Sequence, residues 1–324
     1  MILTNEQLRS TISGAVELAE KDGVLIPYRF GRHLRENVYP ATNRFHAKMT
    51  QSAGVVCRFT TNSTKLAFSY TVELEGSDQS FDIWVNGVLL SCTHFTAREG
   101  RIELALPYAE SRVEIYFPSH REGRIFNVTL DDGASFCPPA APKYNILFKG
   151  DSITNGSTTR FTSMGYTHQV ARALDAHIIN QGIGGEEFNP AAVDTEIALT
   201  PDLVVLAFGT NDWSHAPSHS HLVGAVWGHV AALRDLYPDT KIAMILPIWR
   251  ADYALMNKPT GSFEEMRRVL REVAAHFNVT VIDGWGLVPH VTDVFADARL
   301  HPNEFGFQFY AENLLPYLKE LLEK

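Results

Sequence analysis

The chain has 324 residues, about twice the length of an ordinary domain, so two domains are expected. Hydrophobic residues make up 45% of the sequence and charged residues 20%, which are proportions of a folded protein rather than a disordered one. With 28 basic and 37 acidic side chains the net charge is −9, which argues against a nucleic-acid-binding or anionic-membrane-binding protein, because both need a basic surface.

The N-terminus and the cysteines bear on where the protein works. The first residues lack the basic and apolar regions of a signal peptide, and no stretch approaches the roughly 18 apolar residues that span a bilayer. Cys57, Cys92 and Cys137 are too few and too scattered for a disulfide framework or a zinc knuckle. These observations predict a cytoplasmic protein.

The first 22 residues are predicted to contain a leading helix. Within residues 4–21, apolar side chains recur at helical spacing. They are Leu8, Ile12, Val16 and Leu18.

Residues 23–135 are predicted to form an antiparallel β-sandwich or jelly roll. Within Lys65–Leu74 every second side chain is large and apolar, which is typical of a half-buried strand, and residues 102–106 and 113–117 repeat the pattern. Asn86-Gly87 stands between apolar runs, which is the strongest short signal of a β-hairpin. Short strands separated by turns are typical of a sandwich.

The periodicity changes after residues 136–143, which are predicted to be a linker because prolines are concentrated there. In residues 144–324, short apolar runs alternate with longer helical segments, which predicts a parallel sheet covered by helices on both faces. A helix is expected after Ser262, which forms a capping box with Glu265 and precedes an apolar stripe. The five apolar runs are residues 146–148, 177–179, 203–208, 242–248 and 279–282.

Ser152 follows the first of these runs, in Gly150-Asp151-Ser152-Ile153-Thr154. There it could cap the next helix or point its hydroxyl into the crevice where ligands of doubly wound domains bind. The segment lacks the lysine of a P-loop, and Gly182–Glu187 ends in glutamate where a dinucleotide fingerprint needs its third glycine. No Gly-x-Ser-x-Gly elbow occurs, which excludes the common α/β-hydrolase arrangement.

Three further segments place flexible or polar groups beside the predicted sheet. The second strand leads into Asn180–Gly185, a glycine loop whose backbone N–H groups can approach a ligand. The third leads into Gly209–Asp212, which includes Asn211, and His301 precedes the last helix. Each alone also fits an ordinary turn, cap or surface loop. Together with Ser152 they could supply a nucleophile, a base and oxyanion donors at one edge of the sheet.

These four segments, in this order and spacing, resemble the four sequence blocks of the SGNH hydrolases, also called the GDSL esterase/lipase superfamily. The resemblance covers residues 144–324 and implies a five-stranded, flavodoxin-like three-layer α/β domain. It implies Ser152 as the nucleophile and His301 as the general base. It also implies an oxyanion hole formed by the Ser152 and Gly185 N–H groups and the Asn211 side chain.

The last block departs from the family's Asp-x-x-His pattern. The residue three positions before His301 is Ala298, and the nearest acid is Asp297, four positions before. Asp297 is the predicted third catalytic residue, which requires the loop to bend its carboxylate onto the ring. The alternatives are Asp293, Asp283 and a backbone carbonyl.

A substrate-contacting rim is predicted after the third and fourth strands, formed by Trp213, Trp249 and Arg250. Arg250 could bind an anion or a sugar hydroxyl, or be an ordinary solvated arginine. His215, His219 and His221 invite comparison with a metal site, but Pro217 and the polar composition around it favour a solvated rim loop.

A polar, aromatic and histidine-rich rim favours a small acyl group on a polyhydroxylated substrate over a lipid. A β-sandwich placed before an SGNH domain also resembles the layout of some carbohydrate esterases. The prediction is a serine esterase that removes a short acyl group, with acetyl favoured, from a carbohydrate or small polyol. No metal, cofactor, nucleic acid or membrane is expected to take part.

Three alternatives stay open at this point. The same site could serve an acyltransferase, or a lipid or general carboxylesterase. From a different class, the chain could be a carbohydrate-binding protein without catalysis. An exposed edge of the first domain could also pair subunits into a homo-oligomer.

Overall fold

The computed structural model of the chain describes residues 1–73, 79–255 and 258–324. The strands of the N-terminal part are β1 (Ile12–Ser13), β2 (Glu17–Lys21), β3 (Val24–Tyr28), β4 (Val56–Thr61), β5 (Lys65–Val72), β6 (Ser80–Val85), β7 (Val88–His94), β8 (Glu99–Ala105), β9 (Ser111–Tyr116) and β10 (Gly123–Thr129). Those of the C-terminal part are β11 (Tyr144–Gly150), β12 (Ala176–Gly182), β13 (Leu203–Ala207), β14 (Lys241–Ile245) and β15 (Thr280–Ile282).

Helices are concentrated in the C-terminal part of the chain. The α-helices are α1 (Asn5–Arg9), α2 (His46–Met49), α3 (Ser152–Asn155), α4 (Tyr166–Leu174), α5 (Thr210–His215), α6 (His219–Leu236), α7 (Phe263–His276) and α8 (Glu304–Glu323). A π-helical turn covers Leu34–Val38, and 3-10 turns cover Thr162–Met164, Pro190–Ala192, Gly284–Gly286 and Thr292–Val294. None of the helices in the described ranges is long and apolar enough to cross a membrane.

The C-terminal part is a three-layer α/β domain. Its five parallel strands lie in the order β12-β11-β13-β14-β15, which is the flavodoxin-like order. Apolar side chains of α4 and α8 bury one face of the sheet, and those of α6 and α7 bury the other. Ser262 caps α7 and exchanges hydrogen bonds with Glu265, so the predicted capping box is confirmed, as is the predicted fold class.

The N-terminal part is an antiparallel β-sandwich, as predicted. One sheet has the order β1-β4-β9-β6-β7 and the other β10-β5-β8, and their inner faces share one apolar core. Along β5 the side chains of alternate residues are buried from Leu66 to Val72, which confirms the predicted alternation, whereas Leu74 lies outside the described residues. Asn86 and Gly87 adopt positive φ values of 51° and 81° between β6 and β7, which confirms the hairpin.

The predicted leading helix over residues 4–21 is wrong, because α1 ends at Arg9 and strands follow it. Gly14 has a φ of 87°, and a Cβ placed there would lie 2.1 Å from the Gly54 carbonyl oxygen, so this close approach needs glycine. Asp22-Gly23, with φ values of 51° and 75°, then turns β2 into β3. This Asp-Gly pair was the sequence signal for a hairpin.

The segment between β3 and β4 packs against the end of β12 and so connects the two halves of the molecule. Within it, Arg29 is fully buried and donates hydrogen bonds to the backbone carbonyls of Asn180 and Gly182. A shared apolar cluster surrounds this contact, with Phe30, Leu34, Tyr39 and Met49 on one side and Ile183 and Ala192 on the other. The segment therefore lies at the end of the sheet that carries the predicted site. The domain boundaries themselves remain a prediction.

Candidate active site

Ser152 is presented by a tight turn between β11 and α3. Asp151 caps α3 by accepting a hydrogen bond of 2.9 Å from the Ile153 N–H, and Ser152 is the first residue of the helix. A Cβ placed at Gly150 would lie 2.1 Å from Thr154 Oγ1, so a side chain there would not fit the turn. The Ser152 hydroxyl is therefore held at the carboxyl end of a central strand, partly open to solvent.

A chain of two hydrogen bonds runs from Ser152 through His301 to Asp297. Ser152 Oγ lies 2.8 Å from His301 Nε2, and His301 Nδ1 lies 2.8 Å from Asp297 Oδ2. An ionised carboxylate can accept but not donate, so the proton of the neutral ring sits on Nδ1. Nε2 is then free to accept the proton of the serine hydroxyl.

The loop before His301 bends so that an acid four residues away reaches its ring. Ala298 has a φ of 53°, in the left-handed region, and this turn places the Asp297 carboxylate under the imidazole. Asp297 Oδ1 also accepts the backbone N–H groups of Arg299, Leu300 and His301, at 3.0, 2.7 and 3.0 Å. The carboxylate therefore shapes the loop as well as touching the ring.

The same contacts set the charge of Asp297. Partial burial by itself would raise its pKa, but hydrogen bonds from the Leu300 and His301 N–H groups and from the His301 ring outweigh burial and hold the pKa below its ordinary value. Of the alternatives, Asp283 contacts Arg267 at 2.5 Å and the Asp293 side chain contacts Thr292. Neither carboxylate is placed on the His301 ring.

The glycine loop after β12 lies directly against the turn that carries Ser152. A Cβ placed at Gly182 would be 2.4 Å from the Asn155 backbone nitrogen, and one at Gly184 would be 3.8 Å from Ser152 Cβ. Gly185 has a φ of 84°, a conformation that favours glycine. The Gly184–Gly185 peptide is thus brought beside the nucleophile without any intervening side chain.

Asn211 is tied to the same loop from the other side. It lies in the first turn of α5, and its Nδ2 donates a hydrogen bond of 3.0 Å to the Glu186 carbonyl. The amide nitrogen carries a second hydrogen that this bond does not use. Asp212, the next residue, is buried and accepts the Phe188 N–H at 2.9 Å, so it supports the loop.

The structure also brings two residues of the N-terminal half to this loop, which the sequence did not reveal. The Lys48 ammonium donates a hydrogen bond to the Gly184 carbonyl. A Cβ placed at Gly185 would lie 3.8 Å from the Phe45 ring and 3.9 Å from Lys48 Nζ. The contact joins positions 136 residues apart, and no local motif in the one-turn helix α2 marks them.

Two of the predicted rim residues are buried, and their prediction as substrate contacts is wrong. Trp213 has no exposed surface, and its indole N–H donates to the Gly261 carbonyl at 3.0 Å. Arg250 is 2% exposed and is paired with Asp252 at 2.5 Å. Its other donors bind oxygens of Thr210 and Ser214 in α5. Trp213 thus fixes α5 to the loop before α7, and Arg250 fixes α5 to the segment after β14.

Trp249 is partly exposed and stacks on His290, with ring centroids 5.5 Å apart and planes 11° from parallel. Its contact with substrate stays a prediction. The histidine-rich segment is helical rather than a loop, since His215 ends α5 and His219 and His221 lie in the first turn of α6. Among the described residues, no group of three metal-ligating side chains is close enough to hold an ion.

A groove of about 550 Å³ opens beside the glycine loop. Residues of the N-terminal half form one wall and residues of the C-terminal half form the other. They include Tyr39, Arg44 and Phe45 on one side and Glu187, Ser220 and His221 on the other. Arg44 and Glu187 approach to 3.7 Å across it. The groove is therefore lined by polar as well as aromatic side chains.

Residues 148–309, half of the chain, match the GDSL-like lipase/acylhydrolase family. Comparison with curated proteins finds no match. Among solved structures, a salicylyl-acyltransferase, SsfX3 from a tetracycline biosynthetic pathway, is 22% identical, covers 97% of this chain and 96% of its own, and has a TM-score of 0.81.

Two esterases also have this fold. An acetyl xylan esterase, Est2A from the rumen bacterium Butyrivibrio proteoclasticus, is 14% identical over 97% of this chain and 96% of its own, with a TM-score of 0.65. A family two carbohydrate esterase from Cellvibrio japonicus is 21% identical over 84% and 90%, also with a TM-score of 0.65. At these identities the similarity establishes the fold of both halves.

Proposed function

Because the chain belongs to the GDSL-like lipase/acylhydrolase family of ester-bond hydrolases, we propose that it is a serine esterase. It removes a short acyl group, with acetyl favoured, from a carbohydrate or small polyol. The observation that carries this proposal is the hydrogen-bonded chain from Ser152 through His301 to Asp297 at the carboxyl end of the sheet.

In the first half of the reaction, Ser152 Oγ attacks the ester carbonyl carbon while its proton moves to His301 Nε2. Asp297 accepts the Nδ1–H bond and stabilises the imidazolium that forms. The tetrahedral intermediate then collapses, the alcohol leaves with the proton from Nε2, and the acyl group stays on Ser152. Water then attacks the acyl-enzyme while one of its protons moves to His301 Nε2. When the second tetrahedral intermediate collapses, the acid leaves and Nε2 returns the proton to Ser152 Oγ.

The negative charge of each tetrahedral intermediate needs donors in place before the reaction. The proposed donors are the N–H groups of Ser152 and Gly185 and the second hydrogen of Asn211 Nδ2. Their support is geometric, since the Gly184–Gly185 peptide lies beside Ser152 and Asn211 is tied to the same loop. One such donor is worth ~3 kcal/mol, or 10²–10³ in rate.

The groove beside the glycine loop supports a polar substrate. Its walls combine arginine, glutamate, serine and histidine side chains with the aromatic rings of Tyr39, Phe45 and Phe188, a lining suited to the hydroxyls and ring faces of a sugar. The acetyl xylan esterase and the carbohydrate esterase that share the fold agree with an acetylated sugar. The cytoplasmic location and the pairing of subunits stay predictions.

An acyltransferase is the second candidate. The salicylyl-acyltransferase matches this chain along both halves with a TM-score of 0.81, and in such an enzyme an alcohol replaces water in the second step. The groove would then hold the acceptor. The two candidates share Ser152, His301 and Asp297 and differ in what attacks the acyl-enzyme.

Hydrolysis of p-nitrophenyl acetate, butyrate and octanoate tests the proposal, with wild type, Ser152→Ala and the control Ser91→Ala in the edge strand β7. Acetate turnover that is lost in Ser152→Ala alone supports it, and release of acetate from acetylated xylo-oligosaccharides then tests the sugar. A preference for octanoate indicates a lipid or general carboxylesterase. Product that appears when an acceptor alcohol is added indicates a transferase, and sugar binding without turnover indicates a binding protein.

A further inference from the structure

The ammonium of Lys48 reaches the glycine loop from the N-terminal half of the molecule. It donates its hydrogen bond to a backbone carbonyl, that of Gly184. The position that a Cβ of Gly184 would occupy is 3.6 Å from Lys48 Nζ and 3.8 Å from Ser152 Cβ. Lys48 and the nucleophile therefore flank the same peptide.

That peptide joins the carbonyl of Gly184 to the N–H of Gly185. Its bond is trans, as are the other peptide bonds in the described residues, so the carbonyl and the N–H point in opposite directions within one plane. Neither residue has a Cβ to restrict the plane, which is held by the turn bond of 3.0 Å from the Glu186 N–H to the Ile183 carbonyl and by the bond on the peptide's own carbonyl. A bond on the carbonyl fixes the direction of the N–H.

A charged donor on the carbonyl also changes the strength of the N–H as a donor. Hydrogen bonds from ammonium groups are stronger than those from neutral donors. Chains of hydrogen bonds through an amide polarise one another, so the N–H opposite a strongly bonded carbonyl becomes a better donor. The Gly185 N–H is the group on which Lys48 acts in this way.

The bond is built into the contact between the two halves. The Lys48 carbonyl accepts Arg29 Nη2 at 3.1 Å, and Arg29 Nη1 binds the Gly182 carbonyl at 3.2 Å. The residues next in sequence, Met49 and Ile183, pack in the same apolar cluster. The backbones on both sides of the Lys48–Gly184 bond are thus held together by the same guanidinium and the same core.

Lys48 is kept at this position although burial disfavours its charge. Burial lowers the pKa of the ammonium and nearby Arg44 lowers it further, whereas Glu186 raises it. A lysine that served solubility alone would extend into water, where its charge is fully hydrated. Here the half-buried ammonium is directed at one carbonyl.

We propose that Lys48 is a positioning residue of the oxyanion hole, which holds and polarises the Gly184–Gly185 peptide so that the Gly185 N–H faces the oxygen of the tetrahedral intermediate. This rests on the proposed esterase function of Ser152. In this proposal, a residue of the N-terminal half increases the rate of the chemical step.

The test compares full-length Lys48→Met and Lys48→Arg with wild type and with Lys21→Met, a control at an exposed end of β2. With p-nitrophenyl acetate, kcat should fall roughly tenfold or more in Lys48→Met, a part of what one donor is worth, while KM changes less than about twofold. Lys48→Arg should recover part of the rate because it keeps a charged donor, and Lys21→Met should match wild type.

A second measurement separates positioning from folding. Butylboronic acid forms a tetrahedral adduct with a catalytic serine, and its inhibition constant should rise in Lys48→Met by about the factor that kcat falls. Thermal unfolding of each variant is measured alongside. Should Lys48→Met fail to fold, Lys48→Gln keeps a polar side chain of similar length and gives the same comparison.

The outcomes distinguish this inference from the proposed function. A kcat and a boronate constant within twofold of wild type in Lys48→Met overturn the inference and leave the esterase intact. Ester hydrolysis by Ser152→Ala at the wild-type rate overturns the proposed function, and the inference with it. An equal loss in kcat and in boronate affinity, with KM steady, supports the inference.

Discussion

The two loops that flank Ser152 are held in place by different parts of the molecule. The loop of residues 295–302, which carries His301, is closed on itself: Phe295 pairs with Pro302, and Asp297 accepts three N–H groups within the loop. The glycine loop of residues 182–186 is held from outside. Besides a turn bond from the Glu186 N–H to the Ile183 carbonyl and bonds to Gly150 and Asn211, the loop is held by three residues of the N-terminal half. These are Arg29, Lys48 and Tyr39, whose hydroxyl donates to the buried Glu186 carboxylate.

This difference separates the two tasks of the site. In the proposed mechanism, the loop that carries His301 transfers the proton and the glycine loop stabilises negative charge. A change in the N-terminal half should therefore weaken the oxyanion hole while the Ser152–His301–Asp297 chain survives. The proposed mechanism therefore makes the first domain a structural part of the catalytic centre rather than an attached module.

Asp297→Asn should have the largest effect, on the loop that is closed on itself. We expect kcat to fall by about 10³–10⁴, because an amide cannot hold the Nδ1–H tautomer of His301. The low-field proton resonance of that Nδ1–H should vanish as well. The control is Asp293→Asn, the nearby acid that makes no bond to the ring, and an equal loss in that variant would contradict the assignment of Asp297.

The same variant tests the charge of Asp297 through pH. Its pKa is lower in the folded protein than in the unfolded chain, so its contribution to stability is present above the unfolded pKa and is lost as pH falls through the folded one. The difference in unfolding free energy between wild type and Asp297→Asn should therefore be constant near neutral pH and shrink below roughly pH 4. Urea unfolding at pH 7, 5, 4 and 3 measures it.

Asn211→Ala should have the next largest effect, on the oxyanion side. We expect kcat to fall by about 10²–10³ with little change in KM, since the lost donor acts on the intermediate rather than on the bound ester. The His301 resonance should persist. Asn313→Ala is a matched control, because its amide also donates to a carbonyl, that of Leu287, but from α8. Loss of the resonance in Asn211→Ala would show that the two loops are coupled.

Arg29→Met should reach the glycine loop from the N-terminal half. Four backbone carbonyls lose a charged donor, so the free energy of unfolding should fall by on the order of 3 kcal/mol. We expect kcat to fall about 10- to 100-fold, because the glycine loop is less firmly held, while the His301 resonance remains. Arg35→Met is the control, since Arg35 binds Glu17 and Phe30 within the same half. Wild-type kcat in a folded Arg29→Met would remove the proposed dependence on the first domain.

The sequence predicted what local pattern determines. Strand periodicity, the Ser262 capping box and the segments at the strand ends are short-range signals, and the structure places Ser152, Gly185, Asn211 and His301 at one edge of the sheet. The sequence could not predict whether the side chains that follow a strand would point into the core or toward solvent. Trp213 and Arg250 point inward and fix α5, which depends on packing between elements.

Local sequence patterns also could not predict that the N-terminal half contacts the glycine loop. Arg29 and Lys48 act on carbonyls more than 130 residues away, and their importance comes from the approach of two domains. The error in the leading helix was different in kind. There Asp22-Gly23 is a local signal of a hairpin, and it is stronger than the helical spacing of a few apolar residues.

Ala298→Gly should have the smallest effect and the opposite sign. Ala298 adopts a φ of 53°, which glycine reaches without the steric cost that a Cβ brings, so unfolding should become harder by about 0.5–1 kcal/mol. Since the loop is held by its own hydrogen bonds, kcat should stay within twofold of wild type. Ala296→Gly, two residues earlier without a positive φ, should instead lower stability. A fall in kcat in Ala298→Gly would mean that these bonds need the stiffness of alanine to keep Asp297 on the ring.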